Sequence, residues 1–147
     1  MSRQSSKTTA LYCRMNRCNG DMDAHTARNQ MEHLAMYAEE TRLQNIKFFC
    51  DWGFPGTTPD RPAYQQMLQE IEKGNVSDLV VTNVSRLCRN FTTLHELTDL
   101  ILPRFGVTLH ILQEKAVVTP QDARAKADRY NGLLAFFQQE RQRGGQK

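Results

Sequence analysis

The sequence has four cysteines, Cys13, Cys18, Cys50 and Cys88, but no two of them stand two residues apart. A zinc knuckle or a Cys-x-x-Cys redox motif is therefore excluded, and scattered thiols of this kind fit a reducing cytoplasm better than a disulfide framework. No apolar run approaches the ~18 residues of a membrane span, and the polar start MSRQSSKTT lacks the apolar stretch of a signal peptide. A glycine-rich loop ending in Gly-Lys-Ser/Thr is missing, as is a glycine triplet after the first apolar run, so the common nucleotide-cradling motifs are out. Charge of one sign is scarce too: a net charge of +3 over 147 residues is modest for holding nucleic acid by charge alone. These absences leave a soluble, cytoplasmic protein with no membrane segment, no metal and no small-molecule cofactor as the expectation.

What charge there is lies unevenly. Residues 1–120 carry 13 basic and 13 acidic side chains, whereas the last 27 carry 6 and 3, so the C-terminal end is the part suited to an anionic partner. With 39% hydrophobic residues the chain can bury one ordinary core. Four short runs rich in β-branched or aromatic residues read as strands: residues 10–13, 46–50, 78–82 and 107–112. Between them, apolar residues recur at helical spacing, first Ala27, Met31, Leu34, Ala35 and Ala38, then Tyr64, Met67, Leu68 and Ile71, then Leu94, Leu97 and Ile101. Asp60 before Arg61-Pro62 reads as the cap that starts the second helix, with proline in its first turn. Alternation of this kind predicts one α/β domain of three layers, with a mostly parallel central sheet of four or five strands and helices on both faces. Loops at the carboxyl ends of the strands, from Arg14, Asp51 and Asn83, would then share one edge.

The expected organisation is a flexible segment over residues 1–8, the α/β domain over 9–120 and a C-terminal helix over 121–143, stopped by Gly144-Gly145. On that helix Ala123, Ala127, Tyr130, Leu134 and Phe137 form one apolar stripe. The stripe suits packing on a second subunit or back onto its own sheet, and the sequence leaves both open.

Several stretches form an ordered pattern: Tyr12 to Arg14, Asn29-Gln30, the run from Asp51 to Pro62, Ser85-Arg86-Leu87-Cys88-Arg89-Asn90, and Glu140-Arg141-Gln142-Arg143. Over about residues 11–143 the chain resembles the catalytic domain of serine recombinases, the resolvase and invertase family, and most of all the large serine recombinases of mobile elements. The resemblance implies a resolvase-like fold and site-specific DNA cleavage and rejoining through a phosphoserine link, without metal or cofactor. It implies that Arg14, Arg61, Arg86 and Arg89 bind the scissile phosphate, where planar, permanently charged donors offset charge on the phosphoryl oxygens. Gln30 matches a supporting amide, Asp51 the acid after the second strand that orients a loop, and Ser85 a hydrogen-bonding support for Arg86. Arg129, Tyr130, Leu134, Phe137, Arg141 and Arg143 fall on the helix that meets DNA or a partner subunit, implying a homodimer or higher oligomer.

Three departures bear on activity. The nucleophile position holds Asn16, whose amide nitrogen is delocalised and cannot attack phosphorus, so cleavage by the family's route is expected to fail. Cys13 is expected to point away from the site by strand alternation, and Cys18 to be an ordinary thiol, so neither replaces the serine. Cys88 stands where the family usually has glycine, a change without consequence if the residue is helical or one that alters how closely a DNA backbone approaches. The chain ends four residues after Arg143 with no DNA-binding domain, so DNA contact is expected to be weak and non-specific. The competing expectation is a non-catalytic interaction module, a decoy that oligomerises with active recombinases.

Overall fold

The computed structural model describes residues 7–16, 20–55 and 60–123. Its centre is a five-stranded sheet in the order β2-β1-β3-β4-β5. The strands are β1 (Thr8–Met15), β2 (Ile46–Trp52), β3 (Val76–Val81), β4 (Thr108–Ile111) and β5 (Ala116–Val118). The first four are parallel, and β5 returns antiparallel to β4. β1 is an interior strand, buried from Thr9 to Met15, as expected for a strand covered on both faces. β5 is a strand that the four apolar runs do not disclose: three residues after a turn are too short to show a period.

Side-chain alternation along the strands sorts two cores. Leu11, Cys13 and Val80 pack with Leu34 and Ala38 of α1 (Gly20–Glu40) on one face. Ala10, Tyr12, Phe49, Leu79 and Val81 pack on the other with Tyr64, Met67 and Ile71 of α2 (Pro62–Glu72). The same second face takes the helices after β3, which are α3 (Val84–Leu87), α4 (Phe91–His95), a π-helical turn at Glu96–Ile101 and α5 (Leu102–Arg104). Pro103 accounts for the widened turn, because its ring needs room at the carbonyl four residues back and it has no N–H to donate there.

The start of α2 differs from the sequence expectation. Arg61, not Asp60, occupies the N-cap position and makes no side-chain cap, while Pro62 is the first helical residue. The cap comes from β2: Asp51 Oδ1 accepts from the Ala63 amide at 2.8 Å and Oδ2 from the Tyr64 amide at 2.9 Å. A carboxylate at a helix N-terminus does the same work whichever element supplies it. At the other end of the described chain, the Thr119 hydroxyl accepts from the Asp122 amide while the Asp122 carboxylate accepts from the Thr119 amide, a reciprocal cap that opens a helix at residue 120. Arg129, Tyr130, Leu134, Phe137, Arg141 and Arg143, with most of the expected C-terminal helix, lie outside the described residues.

One polar link crosses the α1 face. His110 of β4 bonds through Nε2 to Asp78 of β3 at 2.8 Å, leaving Nδ1 to accept the Tyr37 hydroxyl of α1 at 2.7 Å. His110 is buried, so removing the hydroxyl strands a ring nitrogen away from water. Tyr37→Phe is expected to lower stability by about 1–2 kcal/mol, read as a shift of the urea midpoint with an unchanged slope.

Candidate active site

β1 pairs with β3 only as far as Leu11, and beyond that point the two strands leave a gap at their carboxyl ends. In a sheet of this order such a gap, flanked by crossovers to opposite faces, is where ligands enter. The backbone of Arg14, left without a strand partner on that side, bonds to side chains. Its amide donates to Gln30 Oε1 at 3.1 Å, and its carbonyl accepts from Gln30 Nε2 at 3.4 Å and from Arg86 Nη1 at 2.8 Å. Gln30 is thus the polar member of the buried stripe of α1, at a position where an apolar residue would leave strand groups unpaired.

The Arg14 side chain turns into the gap and is fully buried. Nε donates to the Arg86 carbonyl at 3.0 Å, Nη2 to the Ser85 carbonyl at 2.7 Å and Nη1 to the Phe54 carbonyl at 3.0 Å. Nη1 also donates to Oδ1 of Asn16, an exposed residue just past the strand. Arg61 is buried as well. Its guanidinium lies 4.0 Å from the ring centre of Tyr64, and Nη1 donates to the Tyr12 hydroxyl at 2.9 Å and, longer, to the Arg86 carbonyl at 3.4 Å. The Tyr12 hydroxyl in turn donates to Asp51 at 2.7 Å. Burial above all pushes the Tyr12 phenol well above its ordinary value, and the Asp51 carboxylate adds to that. Tyr12, not singled out from the sequence beyond its place in the Tyr-x-Arg opening, therefore joins the helix cap to the arginine cluster. The available signal is its position two residues before Arg14, on the same strand face.

Arg86 is half-buried and Arg89 exposed. The structure brings all four arginines into electrostatic reach: burial lowers the proton affinity of Arg14, and Arg61, Arg89 and Arg86 lower it further. Burial and then Arg89 lower that of Arg86. Guanidinium groups remain cationic under such pressure, so their mutual repulsion is relieved by an anion. Arg86 Nε is buried without a partner, a donor without an acceptor in this cluster.

Two expectations change here. Ser85 holds Arg14 through its main-chain carbonyl, while its hydroxyl donates to Asn83, so it is Arg14 and not Arg86 that it supports. Cys88 is extended, with φ −152° and ψ 141°, and not helical. Its Cβ is accommodated because φ is negative, and its sulfur lies 3.4 Å from the Tyr64 hydroxyl and 3.8 Å from Arg61 Nη2. Cys13 packs on the α1 face, while Cys18 lies outside the described residues. Among the described residues no cluster of His, Cys, Asp and Glu is placed to hold a metal ion, and no helix is long and apolar enough to cross a membrane.

No curated protein matches the chain significantly. Among solved structures, the N-terminal catalytic domain of TP901-1 integrase is 23% identical with a TM-score of 0.73, the match covering 92% of this chain and 98% of that one. A resolvase family site-specific recombinase from Streptococcus pneumoniae is 19% identical with a TM-score of 0.63, covering 94% and 98%. A serine recombinase from Sulfolobus solfataricus is 21% identical with a TM-score of 0.57, covering 73% and 69%. These likenesses share the fold of a mostly parallel sheet between helices. The family model "Resolvase, N terminal domain" matches residues 9–143, nearly the whole chain. By family and by fold, the chain belongs to the resolvase family of serine recombinases and carries their catalytic domain.

Proposed function

We propose that this catalytic domain receives a DNA phosphate at Arg14, Arg61, Arg86 and Arg89 but does not form the phosphoserine link of its family. The observation that carries the reading is the bond from Arg14 to the carboxamide of Asn16: the residue at the nucleophile position reaches the cation cluster but offers an amide. DNA contact is weak and indifferent to sequence, since it rests on phosphate neutralisation. Bonds to the Ser85 and Arg86 carbonyls hold donors of Arg14 and Arg61, and a phosphate gains those donors when the turn from Asn83 to Asn90 shifts. A nicked DNA substrate incubated with the chain, fused to a recombinase DNA-binding domain, is expected to yield no denaturation-resistant protein–DNA adduct. Such an adduct would overturn the assignment of Asn16.

A second reading follows from those same bonds. The buried arginines find their acceptors within the protein, so the fold does not need DNA to satisfy them, as suits a non-catalytic module that oligomerises with active recombinases in the cytoplasm. Its oligomer surface would be the stripe from Tyr130 to Phe137. Mixing the chain with an active relative distinguishes the two: inhibition through mixed oligomers supports the module, and the absence of both co-assembly and inhibition removes it.

A further inference from the structure

The α1 face of the sheet carries a pair of thiols that the DNA chemistry does not use. Cys13 of β1 and Cys50 of β2 stand opposite each other in register, and both are free. They point to the same face, into the cluster of Leu11, Leu34, Ala38 and Val80, so the two sulfurs stand side by side. Cys13 is 0% exposed, whereas Cys50 is only half-buried and sits on the edge strand. A reagent from solvent therefore meets Cys50 first, with Cys13 already beside it.

The geometry points to a redox-modification site in which a hydroperoxide oxidises Cys50 and Cys13 closes the pair to a disulfide. The neighbouring Cys13 thiol favours a thiolate at Cys50 and lowers its pKa, although burial and the Asp51 charge work the other way. The thiolate attacks one peroxide oxygen, the O–O bond breaks, and the leaving hydroxide takes a proton to become water, leaving Cys50 as a sulfenic acid. Cys13 then gives up its proton and attacks the Cys50 sulfur. The S–O bond breaks and the departing hydroxide leaves as a second water. In sum, two thiols and one hydroperoxide, here hydrogen peroxide, become a disulfide and two waters.

Adjacent strands lie about 4.8 Å apart, whereas a disulfide draws its Cβ atoms to about 3.8 Å. β2 must move toward β1, which an edge strand can do. A bond closed under such strain is readily reduced, the property of a reversible switch and not of a structural bridge. The next residues along the two strands are Arg14 and Asp51, themselves opposed in register. Arg14 anchors the turn at Ser85 and Arg86, and Asp51 caps α2, so closing the thiol pair pulls directly on both anchors.

The test uses the whole chain, treated with a small excess of hydrogen peroxide, alkylated and digested with trypsin without reduction. Cleavage after Arg14 and Arg17 separates Cys13 from Cys18. The expected product is a peptide pair joined through Cys13 and Cys50, lighter by two hydrogens and released by dithiothreitol. Cys13→Ala is expected to leave Cys50 as a sulfenic acid that dimedone traps, and Cys50→Ala to slow peroxide consumption at least tenfold. A link from Cys50 to Cys18 or Cys88, or Cys50 driven to sulfinic acid with Cys13 untouched, would overturn the proposal. Should either variant fail to fold, the peptide map of the unaltered chain decides alone. Coupling to the site is read separately, by hydrogen exchange. The Ala63 and Tyr64 amides are expected to exchange at least tenfold faster in the oxidised chain, and unchanged exchange would remove the link to α2.

Discussion

Asn16→Ser is expected to turn the chain, fused to a recombinase DNA-binding domain, into one that forms a covalent adduct on nicked DNA, where the unaltered chain forms none. The expected difference is large because removing a nucleophile from comparable covalent enzymes costs on the order of a million-fold in rate. Two physical changes work together. Serine supplies a hydroxyl that can lose its proton and become an oxygen nucleophile, which a carboxamide cannot. The shorter side chain also releases Arg14 Nη1 from the Asn16 carbonyl, returning one guanidinium donor to an incoming phosphate. The measurement is the fraction of DNA that stays with the protein through denaturing electrophoresis. Adducts in both proteins would place the nucleophile elsewhere. Adducts in neither, with DNA binding intact, would show that the bonds from Arg14 and Arg61 to the Ser85–Arg86 turn block the site before the missing hydroxyl matters.

Asp51→Ala is expected to destabilise the fold by at least about 3 kcal/mol, the range for breaking a buried charged network. Asp51 is 2% exposed and serves three donors: the Ala63 and Tyr64 amides at the start of α2 and the Tyr12 hydroxyl. Loss of a helix cap alone costs about 1 kcal/mol. Beyond the cap, the substitution strands the proton of the buried Tyr12 phenol, to which the buried Arg61 also bonds. Asp51→Asn keeps one carbonyl oxygen and is expected to recover part of the loss, since the amide NH2 meets N–H donors it cannot serve. Urea titration followed by circular dichroism measures both variants. A cost below about 1 kcal/mol for alanine would mean that solvent, and not this carboxylate, satisfies the start of α2.

The Asp51 network also shows where sequence reasoning stops. Pro62 marks the beginning of α2 correctly, because proline suits a first helical turn whatever surrounds it. The identity of the cap is not local. Asp60 is adjacent in sequence and of the right type, yet the cap is Asp51, which lies 12 residues from Ala63 along the chain and is delivered by the neighbouring strand. Likewise the ordered arginines mark out a cluster, but not that Arg14 and Arg61 would be buried against protein carbonyls while Arg86 is half-exposed and Arg89 open.

By itself the sequence determined what depends on periodicity and local conformational preference. That covers the four short strand runs, the apolar faces of α1 and α2, the alternation that aims Arg14 and Cys13 to opposite sides, and an ordered motif sufficient to place the family. Only the tertiary structure decided what each polar group bonds to. Arg14 meets the Arg86 carbonyl across 72 residues of chain, and Cys13 meets Cys50 because β1 and β2 adopt one register and no other. Periodicity specifies a face, but hydrogen bonding depends on tenths of an ångström and on angle, and these are set when strands, caps and turns close upon one another.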